Sequence, residues 1–300
     1  MMSLLQNVIQ LLGTVGYYQG KITEFKGLIT GSVFSNSGNT MEELLQNKAI
    51  IIGLWLILFF ALERLRPMAV HPDLTKRPEA RGRVIRNALL WFCNTLMSPF
   101  IVLPITAWAS THALDWRADF MDGNLAVLLI DLLILDMLIY WWHRFNHQIP
   151  FLWRFHEIHH LDAFLDSTSA LRFHFGEVFI SALVRAAIVI TLDIPFETIV
   201  IFEICVLIST IFHHSNLKLP RALERFLSPL VITPAMHWIH HHAVRKDTDS
   251  NYGTVLSCWD RIFGSHNRTI RTPTMRIGVE GVEEKDITGL LLKPFKPRKH

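Results

Sequence analysis

The sequence of 300 residues predicts an all-α integral membrane protein. About four membrane-crossing helices are expected, two of them a hairpin, with a shorter first span and a cytoplasmic cap holding a histidine-rich di-metal site. Three observations predict it. Half the residues are hydrophobic and mean hydropathy is +0.29, high for a soluble chain. The apolar residues gather in blocks near the roughly 20 that cross a hydrocarbon core. Histidines recur in three clusters at helical spacing.

In chain order, Met1 to Gly13 is apolar but has no basic stretch before it and no cleavage site, which predicts an interfacial helix. Ser35 to Thr40 is a polar loop, so residues 1–48 form an amino-terminal interfacial segment. The membrane domain, 49–264, opens with the short span Ala49 to Leu62, ended by Glu63 and Arg64. Ala88 to Ala109 and Leu125 to Trp142 are the next two spans. Val178 to Leu192 and Phe196 to Phe212 flank Asp193, Ile194 and Pro195, a turn that makes the pair a helical hairpin. Arg185 and Glu203 are equidistant from Ile194, so antiparallel packing sets them side by side as an intramembrane ion pair. Residues 265–300 are a basic tail.

The loop after the first span carries Arg64, Arg66, Lys76, Arg77, Arg81, Arg83 and Arg86, whereas the next loop has only Arg117. By the positive-inside rule the first loop is cytoplasmic, which puts every histidine cluster on that side of a membrane, expected to be a bacterial inner membrane. The net charge of +3 comes largely from juxtamembrane residues and fits anionic lipid head groups, not nucleic acid. Of three cysteines, Cys93 and Cys205 lie in spans and Cys258 beyond them, which implies neither a disulfide framework nor a thiolate metal site.

The clusters are His143 and His147; His156, His159 and His160; and His237, His240 and His241. Positions three and four apart share a helix face, so each cluster aims its imidazoles one way. One such pair is as readily a polar anchor at the membrane boundary, but three apposed imidazoles without a partner are costly to bury. Eight exceed the needs of one zinc and suit two ions with open positions. His174, His213 and His214 lie at the same boundary and are candidate additional ligands; His242 is rotated off its cluster's face and reads as a surface residue or one that supports the ligands from behind. His71, His112, His266 and His300 are isolated. Asp136, seven residues before His143, shares its helical face about two turns deeper. It is a candidate for orienting a neighbour of the site or lining a substrate channel, with a hydrogen bond to an adjacent helix as the structural alternative.

His156, Glu157 and His160 also satisfy H-E-x-x-H, which makes a membrane zinc metalloprotease or hydrolase the alternative reading, with Glu157 as general base. Such an enzyme has no use for both remaining clusters. Carboxylate-bridged di-iron bundles need two Glu-x-x-His elements, and only Glu157 with His160 supplies one. A transporter would set its ligands near the midplane rather than the edge. The residues thus favour a histidine-ligated di-metal centre at the membrane surface. Iron fits it physically, because it is redox-active and leaves positions for O2.

The ordered series H-x-x-x-H, H-x-x-H-H and H-x-x-H-H, with Ala170 to His174, His213 to Asn216, Asp249 to Gly253 and Cys258 to Gly264, resembles the fatty acid hydroxylase superfamily, in particular its bacterial sterol desaturase-like members. The similarity covers roughly Leu125 to Gly264. It implies a membrane oxygenase with two iron ions, for which zinc can substitute in purified protein, and O2 as co-substrate. Its relatives hydroxylate or desaturate lipids with external electrons. The implied ligands are His143, His147, His156, His159, His160, His237, His240 and His241, with His174 and His214 in addition; Asp136 and Asn251 are expected to support them. Phe175 stands where many relatives have proline, and Thr210 where some have histidine. No C-x-x-C-H or Gly-x-Gly-x-x-Gly occurs, so electrons are expected from a ferredoxin or cytochrome with its reductase.

Overall fold

The computed structural model describes residues 41–71, 78–118, 121 and 123–297. The expected interfacial helix at Met1 to Gly13 and the loop at Ser35 to Thr40 lie outside the described residues. Among those described, helices and isolated bridges occur and no β-strand.

Seven helices set the architecture: α1 (Met41–Leu65), α2 (Pro78–Met97), α3 (Val102–Thr111), α4 (Leu125–Gln148), α5 (Pro150–His160), α6 (Phe175–Leu192) and α7 (Phe196–His214). Helices α4, α6 and α7 are each long and apolar enough to cross a membrane. The single span expected at Ala88 to Ala109 is a bent pair instead, α2 and α3 meeting at 43°. Pro99 explains the break, since it lacks an N–H and pushes Ser98 out of helical backbone. Counting that pair as one span gives up to four.

Between α6 and α7 the chain turns as its residues dictate. Asp193 caps α6 in the left-handed conformation (φ 51°), and Pro195 starts α7. Val189, Ile194 and Ile199 close this end of the bundle, together with Ala109 of α3 and Leu135 of α4. Helix α1 packs on α7 through Phe59 against Ile211 and Phe212, while Ile50, Leu54 and Ile57 are exposed on its outer side. Its last turn is tied inward: buried Glu63 accepts hydrogen bonds from the backbone N–H groups of Ser167 and Asn216 and from the Ser167 hydroxyl.

Helix α4 ends, and α6 begins, at the end of the bundle where α7 stops. That end carries the short elements: α5, a 3-10 turn (Ser167–Leu171), α8 (Arg221–Leu227), α9 (Pro234–His240), α10 (Arg245–Thr248), α11 (Cys258–Ile262) and α12 (Ile287–Leu292). A buried polar network braces them. Arg83 of α2 donates to Asp162 and Asp166, Asn87 to Asp162, and Arg172 to the Ile158 carbonyl, Asn87 and Glu284. Burial alone would raise the Asp162 carboxyl, but Arg83 and Arg172 beside it hold it below the usual range. The segment from 265 to 297 folds back onto this cap, with Leu290 buried against Leu90 and Ile158.

Candidate metal centre

Nine imidazoles converge in two groups. His143, His147, His156, His160 and His240 form one; His159, His214, His237 and His241 form the other, with the ligand atoms of each group within 4.8 Å of one another. Each H-x-x-H-H helix divides its histidines between the groups. On α5, His156 and His160 serve the first group and His159 the second; on α9, His237 and His241 serve the second and His240 the first. The i,i+4 pair shares a face and the middle residue turns aside, so the two helices exchange one ring each. The groups abut: the His160 and His241 rings stack at 4.3 Å.

Hydrogen bonds set the tautomers. The Nδ1–H of His143 donates to the Tyr252 carbonyl (2.8 Å), that of His159 to Arg172 (3.0 Å), that of His214 to Thr210 (2.8 Å) and that of His240 to Ser250 (2.7 Å). His156 donates to a Glu177 oxygen at 2.8 Å, and His147 lies 3.3 Å from Asp249. With Nδ1 protonated, Nε2 keeps its lone pair for a metal. The Nε2 atoms of His147, His156, His160 and His240 are buried without a partner. In the second group, Nε2 of His214 lies 3.0 Å from that of His159 and 3.1 Å from that of His237. Burial, reinforced by neighbouring imidazoles, holds His159, His160, His237, His240 and His241 well below the usual histidine range. These are neutral, dry, convergent donors, a set that fits two transition-metal ions.

His174 stands apart, which corrects the expectation that it is a ligand. Its Nδ1 accepts from the Gly176 N–H, capping α6, and its Nε2–H donates to the Leu291 carbonyl at 3.1 Å, so both nitrogens are taken. His213 is buried against His237 but belongs to neither group. His242 pairs with Asp247. Asp136 accepts from Trp259 Nε1 (2.9 Å) and from the backbone of Val255 and Leu256; Asn251 donates to the Met236 carbonyl and accepts from the Asn267 N–H. Neither hydrogen-bonds a ligating ring. Both fix the 251–259 segment, whose Tyr252 carbonyl orients His143. Glu157, the base of the H-E-x-x-H reading, pairs with Lys293 at 3.0 Å. Two carboxylates do meet candidate ligands, Asp249 at His147 and Glu177 at His156; Glu177 was not singled out from the sequence, and its place as the third residue of α6 was the available signal.

Residues 128–265 match the family model described as fatty acid hydroxylase. That match takes in a little under half of the chain, and it is this segment that is similar to the family. It is 26% identical over 192 residues to ornithine lipid hydroxylase OlsE of Rhizobium tropici, spanning 63% of this chain and 57% of that protein. It is 31% identical over 130 residues to alkylglycerol monooxygenase of Danio rerio, 43% of this chain and 28% of that one. Lathosterol oxidase of Mus musculus is 29% identical over 202 residues, 65% and 63% of the two chains. The chain thus spans less than two thirds of each of these relatives. No solved structure matches it.

Beside the histidines lies a cavity of about 190 Å³ bounded by α4, α6 and α7. His143 and His156 reach it from the first group, and His159, His214 and His237 from the second. A second cavity, about 330 Å³, continues between the same helices and shares Ile139, Trp142, Val178, Ser181, Arg185 and Val206 with the first.

Proposed function

We propose that the chain is a membrane di-iron oxygenase of the sterol desaturase-like branch, which hydroxylates or desaturates an unactivated C–H bond of a lipid using O2 and electrons from a separate donor. One observation carries the reading: two adjoining apolar cavities run between helices long and apolar enough to cross a membrane, and the one at the end of the bundle is lined by histidines of both groups. Five imidazoles in one group and four in the other leave coordination positions open on two octahedral ions. When bound there, iron supplies the redox chemistry that imidazole and carboxylate lack.

The chain's own part is to place and to shield. Apolar side chains of α4, α6 and α7 admit an alkyl or ring skeleton from the bilayer and exclude water. His143 and His156 on one wall, with His159, His214 and His237 on the other, fix where the reacting carbon must lie. Glu177 holds His156 in the ligating tautomer and offers its second oxygen, buried and unpartnered, as a proton acceptor beside the cavity. Asp136 and Asn251 act at one remove, as positioning residues. By the positive-inside rule the basic loop after the first span supports a cytoplasmic site, where a ferredoxin or cytochrome donor would meet it.

The test is lipid analysis of a host expressing the wild type or His156→Ala. A lipid gaining one oxygen, or losing two hydrogens, only with the wild type is the expected result. Identical lipid profiles, or full turnover of purified protein with NADPH alone, contradict the reading.

A further inference from the structure

Midway along the bundle Arg185 of α6, Glu203 of α7 and Lys48 of α1 form a charged group. One Glu203 oxygen accepts from Arg185 Nη1 and the other from Lys48 Nζ at 2.6 Å. Two cations share one carboxylate, so the group carries a net positive charge between helices of which α6 and α7 are long and apolar enough to cross a membrane, where charge is disfavoured. A structural ion pair accounts for one cation only. Arg185, moreover, lines both cavities, and its Nε is buried without a partner.

Position gives the group a purpose. Glu177, Ser181 and Arg185 are four residues apart on one face of α6, and all three line the cavity at the histidines. Eight residues at a helical rise of 1.5 Å set Arg185 roughly 12 Å along the axis from Glu177, the residue holding His156. An apolar molecule filling the cavities therefore runs from the histidines to a guanidinium with donors to spare.

We propose that Arg185 is a lipid-recognition residue. It binds an oxygen acceptor of a lipid in the cavity, two helical turns from the histidines, and the net positive charge favours a carboxylate over a hydroxyl. Glu203 competes for the guanidinium and, with Lys48, holds it in place while the cavity is empty. The inference rests on the reading of this cavity as the substrate's.

Trp142 lines both cavities, so bromine quenching of its fluorescence reports occupancy without turnover. The full chain in detergent is titrated with dibromostearic acid, the corresponding alcohol and dibromooctadecane, and Trp142→Phe assigns the signal. The acid is expected to bind saturably, the hydrocarbon at least about tenfold more weakly, and Arg185→Gln to lose about tenfold for the acid. Arg185→Lys keeps part of the affinity. Glu203→Gln, which frees the guanidinium, tightens binding. An alcohol as tight as the acid supports the acceptor role with a hydroxyl as its source. Hydrocarbon binding equal to that of the acid, or Arg185→Gln and Glu203→Gln shifting affinity in the same direction, overturns the proposal. Metal content is measured on the same samples: Arg185-dependent binding by a chain that holds no metal pair would defeat the oxygenase reading and leave this one standing.

Discussion

His159 and His214 face each other with Nε2 atoms 3.0 Å apart, and each donates its Nδ1–H to a backbone carbonyl. Two neutral imidazoles in that tautomer present lone pair to lone pair, an arrangement that a shared cation relieves. Stripping metal with a chelator is therefore expected to lower the melting temperature, and adding iron or zinc back to restore it. An unchanged melting curve after complete removal of metal contradicts this.

The groups differ in ligand number, five against four, because Thr210 occupies the place one turn before His214 that would mirror His143 before His147. Chelator titration should release metal in two phases, the four-histidine group first. His214→Ala should abolish the early phase, and His147→Ala should make the late phase earlier. A single phase in all three proteins contradicts unequal sites.

Glu177→Gln keeps an oxygen for the His156 Nδ1–H but removes its charge, and Glu177→Ala removes the acceptor. Losing such a partner costs about 10–100-fold in metal affinity or activity, so the alanine variant should fall in that range and the glutamine variant near its lower end. Equal metal affinity in all three proteins contradicts the role.

Glu157→Gln tests the hydrolase alternative. Glu157 is paired with Lys293 of the carboxy-terminal segment, so the substitution should leave both metals and lipid oxidation in place. Peptide hydrolysis by the wild type that the variant lacks would reverse the assignment.

Asp136→Ala leaves three donors unsatisfied: the Val255 and Leu256 N–H groups and the Trp259 indole. At roughly 1–3 kcal/mol for each buried orphan, discounted for relaxation, a loss of about 3 kcal/mol is expected, with Asp136→Asn milder. Loosening the Tyr252 segment should also weaken metal at the His143 group. Wild-type stability together with wild-type metal affinity in the alanine variant contradicts the assignment.

What could be read from the sequence follows from what is local. Spacings of three and four residues suffice to put His156 with His160, and His237 with His241, on common faces, and Asp193 with Pro195 marks the hairpin turn. Apart from the Arg185–Glu203 pair, which the hairpin turn dictates, long-range contacts were not legible. That His159 and His240 cross to the other group depends on how α5 and α9 dock, and Asp136 meets Trp259 across 123 positions. His174 has the composition of a ligand and the geometry of a cap, and only the return of Leu291 to its Nε2 distinguishes the two. The kink between α2 and α3 was carried by Pro99, a residue easily passed over within an apolar run.

The central claim is that two adjacent imidazole groups each hold an iron. It is tested most directly by metal analysis of detergent-purified protein, expressed with iron and handled anaerobically, beside His156→Ala and His237→Ala. About two irons per chain, with each variant losing or weakening one, is the predicted result. One tightly held zinc that iron does not replace, with metal content unchanged in His237→Ala, would contradict it.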